Sequence, residues 1–257
     1  MPPALATALP RAAPSRQPRV PQLIRHPSFD FALTAIDWSA WYLTAEDDMG
    51  ESWLHSKISD LFEGLLTRWL AERGDTRSQV GRNVFFQWVE AHPLVQMSPD
   101  AFVVATAPTP LPKSVQTWLP GHLPPRFALE VVSDDWHKGY HDNPAKYAQM
   151  GCAELVIYDP EHNAHRKSKD RAALQVYRRT ADGLFVRSYV GPGPAPSAEL
   201  HAWLVVAADG SRMLRLARDA DGTDLLPTAE EALAAADAEN ARLRAQLAQM
   251  AARADND

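Results

Sequence analysis

Cysteine is nearly absent from this chain. Cys152 is the single one among 257 residues, which excludes an intrachain disulfide and any cysteine-built zinc site within one chain. A lone thiol fits a reducing, cytoplasmic setting. No run of about 18 apolar residues occurs, so no membrane span is expected. The N-terminus lacks the uninterrupted apolar core of a signal peptide. There is no P-loop and no Rossmann glycine pattern. Acidic residues are missing before Asp30, where "MPPALATALPRAAPSRQPRVPQ" carries Arg alone among a wealth of Pro and Ala. Residues 1–27 read as a disordered tail, or as a basic arm that touches phosphates. An overall basic character is lacking too. The net charge is −6, so nucleic-acid binding would depend on local patches.

The remaining sequence is rich in patterned apolar residues. Hydrophobic residues make up 46% of the chain, enough for one full core with an appendage. In "GESWLHSKISDLFEGLLTRWLAERG", Leu54, Ile58, Leu61, Leu65 and Trp69 recur at helical spacing, and Gly74 is a plausible stop. Strand-like stretches follow: "NVFFQWV", "PDAFVVATA", "RFALEVVS" and "AELVIYDP". "NPAKYAQMG" reads as a short helix between the last two. Asn143 suits its N-cap, Pro144 its first position and Gly151 its end. "LQVYRRTADGLFVRSYV" reads as a hairpin turning near Asp182-Gly183. "GPGPAPS" reads as a linker-like loop, and "AWLVVA" and "SRMLRLA" as two further strands. Together these predict a mixed α/β domain over residues 28–220, with helices against a central sheet.

Residues 228–257 differ. Thr228 and Glu231 form a capping box. Leu233, Asn240 and Leu247 fall seven apart, and Ala236, Leu243 and Met250 form the complementary set. This is the seam of a short coiled coil, with Asn240 at a core position. It predicts a homo-oligomer joined through the C-terminal helix, against the alternative of a single helix docked on its own domain or frayed in solvent.

The chemistry gathers at "RFALEVVSDD". Phe127, Leu129 and Val131 alternate with Ala128, Glu130 and Val132, so both faces are apolar except for Glu130. A carboxylate in a buried strand needs a cation, a proton or an Arg, because leaving it unpaired costs several kcal/mol. Asp100 heads the preceding predicted strand. If the two strands pair, both acids converge at one end of the sheet. Two hard oxygens there suit Mg²⁺ or Mn²⁺, which activates water and neutralises charge on a phosphate. The bland alternative pairs Glu130 with an Arg such as Arg126.

"SPDAFVV", "PPRFALEVVS", "KYAQMG" and "AELVIYDP", in that order, resemble the Uma-two type restriction endonuclease family of the PD-(D/E)xK nuclease superfamily. The upstream "MGESWLHSKISDLFEGLL" and the C-terminal tail look similar as well. The resemblance implies a restriction-endonuclease-like α/β/α core and a metal-dependent DNA endonuclease. It also implies Asp100 and Glu130 as metal ligands, with the backbone carbonyl of Val132 as a further one. The superfamily's Lys would fall on Val132. The family's alternative Lys position, four before Tyr147, holds Asn143, and the acid expected a turn earlier falls on Gly139. Lys146 and Lys138 are the candidates to replace it. Lys146 is favoured because it shares a helix face with Asn143. The rival function is a nuclease-fold binding module that has lost turnover and joins partners through its C-terminal helix. Among other residues, Glu51 on the long helix is a possible extra metal ligand, with His55 beside it. The pairs His137/His141 and His162/His165 have zinc-like spacing but lie in loop-like sequence. Cys152 reads as packing, and "HRKSKDR" as a basic run that either touches phosphates or simply faces solvent.

Overall fold

The computed structural model describes residues 22–23, 52–106, 108, 110, 112–133, 138–163 and 171–254. The tail reading for residues 1–21 and 24–27 therefore lies outside the described residues, as does Glu51. Gln22–Leu23 forms a two-residue strand, β1.

Helix α1 spans Trp53–Glu72. Ser52 caps it by accepting the His55 N–H at 3.2 Å, and Gly74 beyond its end adopts φ +67°, a conformation glycine tolerates at helix ends. The apolar stripe is broader than its periodicity alone implies. Phe62 and Leu66 are buried with Ile58, Leu65 and Trp69, whereas Leu54 and Leu61 are only partly covered.

Strands β2 (Gln79–Gly81), β3 (Phe85–Gln87), β4 (Gln96–Met97), β5 (Ala101–Val104), β6 (Ser114–Gln116) and β7 (Phe127–Val131) follow. A π-helix at Lys138–Asp142 leads into α2 (Asn143–Met150), then β8 (Glu154–Tyr158), β9 (Leu174–Arg179) and β10 (Phe185–Gly191). The chain closes with β11 (Ala195–Ser197), β12 (Ala202–Val206), β13 (Leu214–Ala217) and α3 (Ala229–Ala254). The main sheet runs β1-β10-β9-β8-β7-β5-β2, beside two three-stranded sheets, β11-β12-β13 and β4-β3-β6. β7 and β8 are parallel, and α2 lies on the crossover between them, as parallel neighbours require. β5 runs antiparallel on the other side of β7.

The alternation in β7 divides the core. Phe127, Leu129 and Val131 pack with α1 and the β11–β13 sheet. Ala128 and the following Val132 pack with Tyr140, Tyr147 and Met150 of the crossover and with Phe86 and Met97 of the other small sheet. Trp69 fastens α1 to the small sheet by donating its indole N–H to the Leu200 carbonyl at 2.7 Å. The fold is thus a mixed α/β sheet with helices on its faces and a C-terminal helix, as the restriction-endonuclease-like expectation requires. Among the described residues no helix is long and apolar enough to cross a membrane.

Three local expectations are corrected. "WHKGYHDNP" is not loop throughout, because residues 138–142 wind into the π-helix. That lead-in makes Asp142 the N-cap of α2 and places Asn143 inside the helix, which frees the Asn143 side chain from capping. "GPGPAPS" is not a linker, since Ala195–Ser197 forms β11, paired with β12. As the outer strand of its small sheet, β11 can hold Pro196, which has no N–H to donate. The capping box of α3 stands: the Thr228 N–H donates to Glu231 at 2.8 Å and the Glu231 N–H to Thr228 Oγ1 at 3.1 Å.

Candidate active site

Register brings the two acids together. Ala101 faces Leu129 in the β5–β7 pair, and one step outward sets Asp100 opposite Glu130. The Asp100 N–H donates to the Leu129 carbonyl at 3.1 Å. Its carboxylate then turns along the neighbouring strand, and Oδ2 accepts the Val131 N–H at 2.6 Å. The acid on β5 is therefore bonded to the residue that follows the acid on β7. Asp100 is 8% exposed, so its orientation is set by protein groups rather than solvent.

Its other oxygen meets His55. The Nε2 of His55 lies 2.7 Å from Asp100 Oδ1, carried there by the first turn of α1. Burial on both sides of this contact strengthens it over a surface pair. The sequence places His55 beside Glu51 on the long helix but gives it no task. The cue, a polar residue near the start of an amphipathic helix, is too common to single it out.

Glu130 is half-buried and is held from α2. Asn143 donates Nδ2 to Glu130 Oε2 at 2.9 Å. Four residues on, one helical turn, Tyr147 donates its hydroxyl to Glu130 Oε1. Tyr147 is fully buried. Burial first, and the Glu130 charge second, push its phenol well above the usual range, so it stays a proton donor to the carboxylate. Arg126 is not Glu130's partner. It donates to Asp75 at 3.2 Å and to the Glu199 carbonyl at 2.7 Å, at the far end of β7.

One atom in this cluster lacks a bond. Asn143 is 5% exposed, and its Oδ1 is buried with no hydrogen-bond partner. The donor set is thus two carboxylates and one neutral amide oxygen. Each carboxylate oxygen has one hydrogen bond named here, and a carboxylate oxygen can accept more than one. Hard oxygens of this kind fit Mg²⁺ or Mn²⁺ better than softer metals. Val132 sits directly beyond the site, its N–H bonded to the Tyr158 carbonyl at 2.8 Å. Lys146 is half-buried in the first turn of α2, three residues past Asn143. Lys138 opens the π-helix.

The crossover is anchored by a second polar cluster that sequence reading missed. Tyr140 in the π-helix donates to Asp159 at 2.7 Å, and Arg171 grips the same carboxylate at 2.6 and 2.7 Å. Arg171, the last residue of the basic run "HRKSKDR", is thereby committed to the interior and is not a phosphate contact. Residues 165–170 of that run, and His137, lie outside the described residues. No cluster of three or more His, Cys, Asp or Glu suited to a metal occurs among the described residues, so no zinc site built from such residues is found there. Cys152 is buried, its thiol pushed up chiefly by burial, in keeping with a packing role.

A search of curated proteins finds no match. Among solved structures, a crystal structure from Anabaena variabilis described as "a putative nuclease belonging to DUF820" superposes with a TM-score of 0.42 and 12% identity, over 59% of this chain and 75% of that one. A family model described as "Putative restriction endonuclease" matches residues 46–204. That span runs from before α1 into β12 and holds every residue of the cluster around Asp100 and Glu130. It covers well over half of the sequence, and the chain therefore belongs to this Uma2 family.

Proposed function

We propose that this protein is a metal-dependent DNA endonuclease, hydrolysing phosphodiesters with Mg²⁺ or Mn²⁺ held by Asp100, Glu130 and the Val132 carbonyl. The observation that carries the reading is the pair of acids at one end of the β5–β7 ladder, each carboxylate aimed by two separate donors. When bound, the metal supplies charge neutralisation at the phosphate and an activated water. The chain's own residues supply the rest. His55 and the Val131 N–H hold Asp100 in one orientation. Asn143 and Tyr147 do the same for Glu130. Lys146 is assigned to orient the attacking water, and Lys138 to contact the DNA backbone. The orphaned Oδ1 of Asn143 supports a polar guest, because a buried acceptor without a donor or cation costs about 1–3 kcal/mol. The C-terminal helix joins copies of the chain into a homo-oligomer in the same reading.

A second reading draws on Asn143 itself. The position at which the family is expected to carry Lys holds a neutral amide engaged with Glu130. In this reading the chain is a nuclease-fold binding module without turnover, which reaches its partners through the C-terminal helix.

Supercoiled plasmid incubated with purified protein and Mn²⁺, Mg²⁺ or chelator separates the two. The first reading requires metal-dependent nicking that vanishes in Asp100→Ala. Metal binding is read independently by melting. A cation bound by the native state alone, at a hundred times its Kd, stabilises by about 2.7 kcal/mol. Asp100→Asn and Glu130→Gln should each abolish that rise. A metal response unchanged in both variants would sink the site; a metal response without nicking selects the binding module.

A further inference from the structure

Among the described residues, the face of α3 that carries the heptad repeat is bare. Leu233, Leu247 and Met250 are 64%, 65% and 66% exposed, and Leu243 is 43% exposed. The helix root, by contrast, is tied to the domain. Arg215 donates to Glu231 at 3.1 and 2.7 Å and to the Leu226 carbonyl at 3.0 Å. The apolar stripe begins two residues past that tie. At 26 residues the helix is about 39 Å long, long for an Ala-rich element whose residues 233–251 are all exposed.

We infer that α3 pairs in parallel and in register with α3 of a second copy of this chain. The inference rests on the homo-oligomer of the proposed function and adds its orientation and alignment. Two features select this geometry. First, Leu233, Asn240 and Leu247 are the a positions of a heptad, and Ala236, Leu243 and Met250 the d positions. Parallel, in-register pairing sets a against a, so Asn240 meets its own counterpart and the two amides satisfy each other. A slip of one heptad sets Asn240 against leucine. Antiparallel pairing sets a against d, where Asn240 finds no amide. A single core Asn enforces register in this way.

Second, the flanking charges are complementary in the same alignment. Glu239 is a g position and Arg244 the following e position. In a parallel pair, g of one helix lies beside the next e of its partner, so Glu239 faces Arg244 of the second copy, twice by symmetry. Within one chain Glu239 is held by Arg242 at 2.7 and 2.5 Å on an exposed surface. That contact is solvent-screened and readily exchanged on pairing. The pair gives one particle two copies of the candidate active site, an arrangement suited to acting on both strands of a duplex.

The full-length chain tests this. Light scattering should give the mass of a dimer, and Leu243→Asp should give a monomer with an unchanged domain melting temperature. Ala236→Cys and Leu247→Cys, prepared separately, should each oxidise to a covalent dimer, because each core residue faces its own counterpart. Glu239→Lys and Arg244→Glu should each shift toward monomer, and their equimolar mixture should recover the dimer. A monomeric wild type across the accessible concentration range overturns both the homo-oligomer and its geometry. A dimer in which cross-links form only when the two cysteine variants are mixed overturns the parallel alignment alone. Neither outcome bears on metal-dependent cleavage, which the plasmid assay reads separately.

Discussion

Asn143 and Glu130 are joined by a 2.9 Å hydrogen bond, from the helix position where the family resemblance implies lysine to the acid on β7. The amide binds the acid without bringing a charge of its own. Asn143→Lys should place an ammonium against Glu130 and leave the fold intact, since the acid is already there as counter-ion. If this is the lysine seat, Mn²⁺-dependent nicking should rise by about tenfold or more, the equivalent of roughly 1.4 kcal/mol in the barrier. A nicking rate at or below wild type would remove position 143 from the reaction.

Lys146 and Lys138 should separate by phenotype. Lys146→Ala is expected to keep the metal-induced rise in melting temperature and to lose cleavage by roughly 10²-fold or more, as for loss of a group acting on the reacting water. Lys138→Ala should mainly weaken DNA binding, and more so at low salt, as for a phosphate contact. Wild-type cleavage by the Lys146 variant would return the role to another residue.

Tyr147 is a test of how firmly Glu130 is held. Tyr147→Phe keeps the ring in the core and removes the hydroxyl donor. Hydrogen bonds to charged groups are worth about 1.5–3 kcal/mol. Half-buried Glu130 can recover part of this from water, so about 1–2 kcal/mol of destabilisation is expected by denaturant titration. Stability equal to wild type would show that the hydroxyl does not hold the acid in solution.

Asp75 gives a pH signature far from the active end. Its carboxylate accepts the Ser78 N–H at 2.9 Å, the Ser78 hydroxyl at 2.7 Å and the Arg77 N–H at 3.1 Å. These bonds, the Ser78 N–H foremost, with Arg126 nearby, hold it below its ordinary value of 3.8. The folded state therefore binds fewer protons than the unfolded state between the two values. The stabilisation is complete above pH 3.8 and is lost as pH falls through the folded value. Asp75→Asn should be slightly less stable than wild type at neutral pH, by about 0.5 kcal/mol, and thermal melts should show the gap closing below pH 3.8. A gap that widens on acidification would reverse the assignment.

The two acids were legible in the sequence because strand periodicity is local. The alternation through Phe127–Val132 puts Glu130 on one face, and Asp100 heads the neighbouring strand. The division of β7 between two cores follows from the same alternation. What holds the acids was not legible. Asn143 and Tyr147 are four apart, which fixes a shared helix face but not what that face meets. His55 reaches Asp100 across 45 positions of sequence, and no local pattern encodes that distance. The π-helix was hidden for a related reason: Gly139 lies within it and Pro144 follows just beyond it, and both signal a loop when read locally.

That π-helix has an evolutionary consequence. A five-residue turn inside a helix accommodates one residue more than an α-turn does. Each residue added to or removed from an α-helix rotates everything after it by about 100°. Residues 138–142 stand immediately before Asn143, so a one-residue insertion or deletion there would present a different side chain of α2 to Glu130 while leaving β7 and β8 in place. A functional group could drift along α2 in a lineage without any strand being rebuilt. A departure such as Asn143 is then the kind of change this crossover absorbs with little disturbance to the sheet.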